Sequence, residues 1–491
     1  MKTRIFIAIL MSWAFTSTAQ TAYEALRNSI FTPQGTARTI GVGGAIGAFG
    51  ADYTTIYSNP AGLASFRRSE FTISPKWLSA TTESQLQGGN PDENSSYINH
   101  NNKMRLSNVG VVTTSSPASK DWTLVNFGMG IIRLADFDQK YYFEGSSEGS
   151  ITGRFIELAD GLTPDQLDDF EAGLAYETGA IYNPDNDNTV YTSDFTQGDI
   201  VPKGQSVKTG GGISELNFAL AANYKEKLQI GVTLGIPFLR YNENKSYFER
   251  DENDDIKYFN ELTYDESLNT IGTGFNLKLG LIVKPVHAVR LGLSVHTPTF
   301  FNLNDTYSSS MTYDYTINNS SNFLEATSPD GYFEYKLRTP WRFIASGGFL
   351  LRKMAFLTAE AEWVDYSTSF YSFKNASAED RAYEQELNQQ IANKYTTSLA
   401  LRFGGEFRTG PARLRLGYST VSSPYQNFNN TSDAIHAGIG IRTKKFFFDF
   451  AYVLSTYAEA YFPYETALYP KAEVNNQIQR EDYIATFGFK F

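Results

Sequence analysis

The residues Gly145, Ser146, Ser147, Glu148 and Gly149 match the G-x-S-x-G pattern of serine hydrolases. That chemistry needs a buried strand before the serine and a helix after it, and the surrounding segment reads as a polar loop. The glycines between 41 and 50 fail the dinucleotide fingerprint, because Ile46 stands where glycine is required and no βαβ unit follows. Of the four histidines, His100, His287, His296 and His436, none lies at metal-ligand spacing. Asp185, Asp187 and the acidic run 251–255 could supply carboxylates to a divalent cation, but no twelve-residue calcium loop is present. They read as exposed loop charge. No catalytic residue, metal or cofactor is assigned. What remains is a series of charges at alternate positions: Arg290, Arg402, Arg408, Arg413 and Arg415, with Glu360, Glu362 and Glu406. His296 and His436 share that parity and read as solvated polar side chains facing a barrel lumen.

Alternation is the mark of strands, whose successive side chains point to opposite faces. In ELNFALAANYKEKLQIGVTLGIPFL (215–239) Leu216, Phe218, Leu220, Leu228, Ile230, Val232 and Leu234 form one apolar face of a hairpin turning at 225–227. The design recurs at 273–297 and 399–418. All such runs together predict strands near 71–80, 103–114, 122–135, 214–224, 228–240, 272–283, 289–300, 338–351, 355–368, 396–408, 412–421, 434–443, 446–457 and 481–491. Each has roughly the 9–11 residues that cross a bilayer at a tilt. Their connections alternate strictly between short and long, as in a 14-stranded antiparallel transmembrane β-barrel with short inner turns and long outer loops. A secreted sandwich or propeller alternates too but gives no reason for that order. The last strand, DYIATFGFKF, must then pair with the first near EFTISPKWL, leaving no edge open to lipid. The charges listed above face the lumen, as a lattice of opposite charges or with one arginine receiving a substrate carboxylate.

Composition agrees. Residues 1–19 read as a signal peptide: Lys2 and Arg4, an apolar run from Ile5 to Phe15, then Ser17 and Ala19. The chain carries 42 basic and 53 acidic residues, a net charge of -11 that argues against nucleic acid as partner. Without cysteine there is no disulfide framework. No later stretch approaches the ~18 consecutive apolar residues of a membrane helix, yet aromatic residues make up 15% of the chain. A barrel reconciles the two, because lumen-facing positions dilute the hydropathy average. Two long loops carry helix signals. Thr163-Pro164-Asp165-Gln166 forms a capping box ahead of Leu167, Phe170 and Leu174, and Ser377 with Asp380 caps a helix striped by Tyr383, Leu387 and Ile391.

A barrel of fourteen strands is too wide for its own side chains to fill. The glycine-rich segment preceding the first strand, TARTIGVGGAIGAFGADYTTIYSNPAGLASF (36–66), is placed to plug it. The domains expected are therefore the signal peptide, a hatch at 20–66 and the barrel at 67–491. In this segment G-V-G-G-A (41–45) and Y-S-N-P-A-G-L (57–63) resemble the hatch of the outer-membrane long-chain fatty acid and aromatic hydrocarbon transporters of the FadL type. FGMGIIRLADF from 127, AEAEWVDYS from 359, RFGGEFRTGPARLRLGYS from 402 and GIGIRTKKFFFDFAYV from 438 extend the resemblance over the mature chain. The outer loops, 136–212 above all, do not match residue by residue.

The resemblance implies passive uptake of small hydrophobic molecules by a monomer in the outer membrane of a Gram-negative bacterium. Asn59, Pro60 and Ala61 are its hatch motif. The implied partners are an apolar ligand, outer-membrane lipid and lipopolysaccharide, and the barrel assembly machinery, for which the terminal Phe491 resembles the targeting signal. Tyr141, Tyr142, Phe143, Phe300, Phe301, Phe370 and Tyr371 are candidates for a first capture surface, or for the interfacial aromatic girdle. Gly128 and Gly130 of the third strand could permit a bulge that opens the wall. The alternative reading is a FadL-like barrel serving secretion or binding a surface protein. An outer-membrane lipase is the enzymatic rival.

Overall fold

The computed structural model describes residues 21–491 except 33, 89–93, 185–186, 353, 375 and 427–429. The expected signal peptide, Gln20 and Asp185 lie outside the described residues. Nineteen strand segments form one closed sheet, equivalent to a 14-strand antiparallel barrel. The fourteen staves are β1 (Glu70–Leu86), β2 (Tyr97–Ser115), β3 (Trp122–Asp136, extended by Gln139–Glu148), β4 (Ile200–Tyr224), β5 (Leu228–Arg250) and β6 (Phe259–Val286). They continue as β7 (Val289–His296 and Phe300–Ile317), β8 (Gly331–Arg338 and Arg342–Leu351), β9 (Ala355–Asp365 and Phe370–Phe373) and β10 (Thr397–Thr409). The last four are β11 (Ala412–Ser422), β12 (Thr431–Arg442), β13 (Phe446–Tyr461) and β14 (Val474–Lys490). Closure is made by β14 against β1, with Phe489 opposite Phe71 and Tyr483 opposite Trp77. The Phe491 amide donates to Ser69 O (3.0 Å), so even the terminal residue is tied into the wall.

All fourteen predicted strands are present, but several run far beyond their predicted ends, so much of the expected outer-loop length is strand. β5 has 23 residues and β6 has 28, where about 10 suffice to cross the bilayer. The cause is an inversion of the alternating pattern. Along β5, outward-facing Ile230, Val232, Leu234 and Phe238 are exposed and apolar, while inward Gln229 and Thr233 are buried and polar. Beyond Phe238 the outward residues become Arg240, Asn244, Ser246 and Arg250, and inward Leu239, Tyr241 and Tyr247 are buried. β7 changes the same way after Phe300: Phe301, Leu303, Met311 and Tyr313 point in, Asn302 and Thr306 out. The lower barrel is built for lipid, apolar outside; the upper barrel is built for water, apolar inside.

That upper core is closed by a cap in which Phe143, Phe155, Leu174, Tyr247 and Tyr313 belong to one buried cluster. The capping box at Thr163 and Gln166 forms, but it starts a single 3-10 turn, Pro164–Gln166, instead of the predicted helix. Asp168 ends it: its carboxylate accepts from the amides of Phe170, Glu171 and Ala172 and launches a separate helix, Ala172–Glu177. The helix after Ser377, Ala378–Lys394, forms with its box intact, and Leu387 and Ile391 are buried as predicted.

The inversion makes a direct test. Replacing Leu234, exposed in the lower band, by Arg should cost about 2–4 kcal/mol of stability in vesicles. Ser246→Arg, outward on the same strand above it, should change stability by less than about 0.5 kcal/mol. Chemical denaturation of the two variants in lipid vesicles measures the difference.

Candidate functional site

The described residues between 21 and 66 pack against inward-facing side chains of the barrel wall. Helix α1 (Ala22–Arg27) sits high in the lumen, where the Tyr371 hydroxyl donates to Thr21 O (3.2 Å) and the Arg27 guanidinium lies 3.4 Å from the centroid of the Tyr241 ring. Burial there pushes the Glu24 carboxyl up to about 8, against the pull of Arg27 3.5 Å away. The chain then descends through α2 (Ala37–Gly41) and α3 (Thr55–Ser58) to the 3-10 helix Pro60–Ser65.

Asn59 stands between α3 and that last turn, and its side chain serves both. Its Oδ1 accepts from the Ala61 amide (3.2 Å), while Nδ2 donates to Gly47 O (2.9 Å) and Leu281 O of the wall (3.2 Å). Pro60 fills the first helical position, where its missing N–H costs nothing. The motif is buried, not a solvated turn. It fits because the facing strands carry glycine. A Cβ at Gly280 would sit 2.1 Å from Asn59 Oδ1, and one at Gly231 2.4 Å from the Pro60 carbonyl carbon. On β10, a Cβ at Gly404 would meet Val42 O at 2.2 Å. These lumen-facing glycines escaped the sequence reading. Their signal is there, glycine recurring at inward positions of strands whose other inward residues are polar.

The predicted lumen charges come together around this plug. Glu360 accepts from the Gly47 amide (3.1 Å) and pairs with Arg402 (3.2 Å), which also pairs with Glu362 (2.6 Å). Glu362 in turn holds Arg342 (2.7 Å), whose guanidinium reaches Ser29 O of the hatch. A second chain runs from hatch Arg38 to Glu406 (3.5 Å), Arg415 (2.7 Å), Asp449 (2.8 Å) and Arg442 (2.6 Å). A third, which the sequence did not single out, joins Lys76 to Asp136, Arg480 and Asp482, with Lys76 donating to Gln34 of the hatch (2.9 Å). A dry interior makes unpaired charge costly, and the carboxylates and guanidiniums here are matched. Two expectations change. Arg408 is exposed at the inner end of β10 instead of within the lattice. His296 and His436 are buried instead of solvated: His296 meets the Tyr57 ring edge-on at 5.2 Å and Ser58 O at 3.4 Å, and His436 meets Ser419 at 3.0 Å. Arg290 donates to Phe49 O (2.9 Å).

The capture candidates divide. Tyr141 and Phe143 pack in the upper interior around Tyr461. Phe301 and Tyr371 are also buried, facing in, whereas their neighbours Phe300 and Phe370 face out and are exposed. Tyr142 meets Tyr97 edge-on at 5.1 Å. Four of the seven are therefore core residues in this conformation, because the strands continue above the membrane band with their apolar face turned inward. The G-x-S-x-G run is not in a loop either: it ends the strand Gln139–Glu148 and precedes the helix Thr152–Ala159. Ser147 Oγ is nevertheless buried without a hydrogen-bond partner. His100 engages Thr81, while His296 and His436 hold the contacts above. Asp251 caps its own turn by accepting from the Asp255 and Ile256 amides.

One seam of the wall is irregular. β2 and β3 pair from Ser115 and Val125 up to Asn108 and Ile132, and there the pairing stops. On its other side β3 pairs with β4, and its bulges there lie between Trp122 and Leu124 and between Arg133 and Ala135, not at Gly128 or Gly130. Those glycines make room for the hatch: a Cβ at Gly128 would meet Leu63, and one at Gly130 the Tyr53 hydroxyl. Above the break the hatch bridges both strands. The Thr32 amide donates to Leu134 O (2.9 Å), the Gln34 amide to Arg133 O (3.2 Å), and Ser107 Oγ to Gly35 O (2.7 Å). Arg105 crosses the gap to Asp138 with two bonds of 2.6 and 2.9 Å. The glycine cradle is tested by Gly280→Ala, which should loosen the Asn59 latch and raise single-channel conductance in planar bilayers severalfold. Gly347→Ala, whose methyl would meet nothing within 4 Å, should leave it unchanged.

No protein-family model and no curated protein matches the sequence. Solved structures do match in shape. A Pseudomonas aeruginosa FadL homologue superposes with a TM-score of 0.56 at 11% identity, covering 94% of this chain and 100% of that one. The Pseudomonas putida toluene transporter TodX gives 0.50 at 12% identity, covering 94% and 100%. The Ralstonia pickettii toluene transporter TbuX gives 0.50 at 12%, covering 95% and 100%. A sealed fourteen-stranded wall, an internal amino-terminal plug and near-complete coverage in both directions agree on one conclusion: this chain has the fold of the FadL-type outer-membrane barrels.

Proposed function

We propose that this protein is an outer-membrane transporter for the passive uptake of small hydrophobic molecules, long-chain fatty acids or related aromatic compounds. The observation that carries this reading is the seam between β2 and β3. A straight aqueous pore offers an apolar solute nothing, since every buried CH₂ must leave water to gain its ~0.8 kcal/mol. The lumen is crossed by charge pairs that such a solute would have to desolvate. The seam avoids both. It opens beside Leu106 and Met104, which face lipid, so a solute that reaches the lumen there steps sideways into hydrocarbon. Thr32, Gln34 and Gly35 of the hatch are the bar across it. The FadL homologue and the two toluene transporters of the same fold support a cargo of this class.

A second reading, a barrel that binds an exported protein, is favoured by the height of β4 to β7 and by the closed cap. Uptake separates the two. Proteoliposomes should accumulate a labelled long-chain fatty acid faster than empty liposomes; equal rates defeat the transport reading. The native chain lacks cysteine, so an Arg105→Cys, Asp138→Cys pair can be bridged selectively by a short bis-maleimide. Bridging should abolish the excess uptake without altering ion conductance.

A further inference from the structure

We propose that the inner, periplasm-facing side of the hatch carries a binding site for the carboxylate of an anionic amphiphile, with the first part of its apolar tail on Phe49, Leu350 and Phe356. A cavity of about 260 Å³ lies there, beneath hatch residues 49–51 and 64–65, next to Arg67 and beside the inner ends of β4 to β9. That is the room of about eight waters at roughly 30 Å³ each, enough for a head group and a short length of chain.

The lining has two parts. One is apolar: Phe49 and Phe356 lie 4.3 Å apart between centroids, with Leu350 beside them. The other is cationic, and its positive charge is not cancelled. Glu226 lines the cavity, but its oxygens already accept from Arg67 (2.8 Å), Thr123 (3.0 Å) and Asn223 (3.3 Å). Arg38 is held by Glu406 (3.5 Å) and Ala51 O (2.7 Å). Arg290 and Lys284 have no ion-pair partner among the described residues. Arg290 gives one bond to Phe49 O and rests 5.1 Å from the centre of that ring. Its Nε is buried without an acceptor.

Gln229 repeats the pattern. Its Oε1 accepts from Ser65 (3.1 Å), but Nε2 is fully buried and donates to nothing. Elsewhere among the described residues of this interior the guanidiniums pair with carboxylates, even where a single nitrogen such as Arg415 Nη2 or Arg442 Nε lacks an acceptor, so a guanidinium and an ammonium without any carboxylate partner at one cavity are an exception. A buried donor without a partner loses about 1–3 kcal/mol, and an oxyanion supplies an acceptor to Arg290 and Gln229 and a counter-charge to the half-buried Lys284. Asn223 Oδ1, also unpartnered, is an acceptor that bound water can serve. The phenyl wall selects an amphiphile over an inorganic anion.

The tail assignment rests on the uptake reading, but the site is tested without transport. Calorimetric titration of the full chain in a non-ionic detergent would compare octanoate, 1-octanol, acetate and inorganic phosphate. Octanoate should bind at least tenfold more tightly than the other three and weaken with added salt. Lys284→Gln, at the cavity rim where refolding is not at stake, and Arg290→Gln should each weaken octanoate at least fivefold and leave 1-octanol unchanged. Equal binding of octanoate and 1-octanol, or variants within twofold of the parent, overturns the carboxylate site. Acetate or phosphate matching octanoate overturns the apolar wall. Octanoate binding without vesicle uptake leaves the site standing and removes the transport reading; uptake without octanoate binding does the reverse.

Discussion

Hydrocarbon offers no partner to an unpaired peptide group, and the join of β14 to β1 is the answer on which the molecule depends. Fifteen paired positions run from Glu70 opposite Lys490 to Leu86 opposite Val474. The terminal Phe491 amide closes the ladder, which is why this carboxyl terminus does not fray. Once the cylinder is sealed, its width is set by strand number, and its width creates the next constraint. The lumen has to be filled by something other than its own wall.

The amino-terminal segment fills it, and the chemistry of the filling follows from the membrane outside. Apolar residues in the lower barrel are needed on the lipid face, so the inner face is left with polar and charged side chains or with none. Where the hatch touches the wall closely, the inner face is glycine, as at Gly231 and Gly280. Where it stands off, carboxylates and guanidiniums span the gap in pairs. Removing one member would leave its partner charged in a dry interior, a loss typically about 3–5 kcal/mol. The plug is therefore held by many coupled contacts and by one seam in which it replaces a strand.

Above the membrane the same alternation serves the opposite solvent. The sheet keeps its hydrogen bonding through the change, so only the side chains report where lipid ends. This gives the protein a tall, capped upper storey with its own apolar core. Two of the aromatics whose loop positions suggested capture, Tyr141 and Phe143, serve as its packing. The β2 to β3 seam lies below that storey, and the cationic cavity lies at the other end of the hatch.

Much of this was legible in the residues themselves. Period-two alternation set the number of strands and their inward and outward faces, because side-chain direction in a strand depends only on parity. Turn residues set the short connections, and local capping residues set the helix after Ser377. The glycine-rich segment ahead of the first strand marked the plug, and the family resemblance supplied its Asn59, Pro60, Ala61 motif. What parity cannot report is which solvent lies beyond each face, and so the sequence pattern ends the strands at Arg240 and near Gly272, where apolar and polar exchange sides. Nor does local sequence say which distant groups share a cavity. The capping box at Thr163 was overruled by Asp168, two buried histidines replaced two solvated ones, and Arg290 was left without a carboxylate while Arg402 and Arg415 were matched. Those outcomes are decided by groups brought together across the lumen from hundreds of residues apart, and only closing the sheet around the hatch brings them within reach.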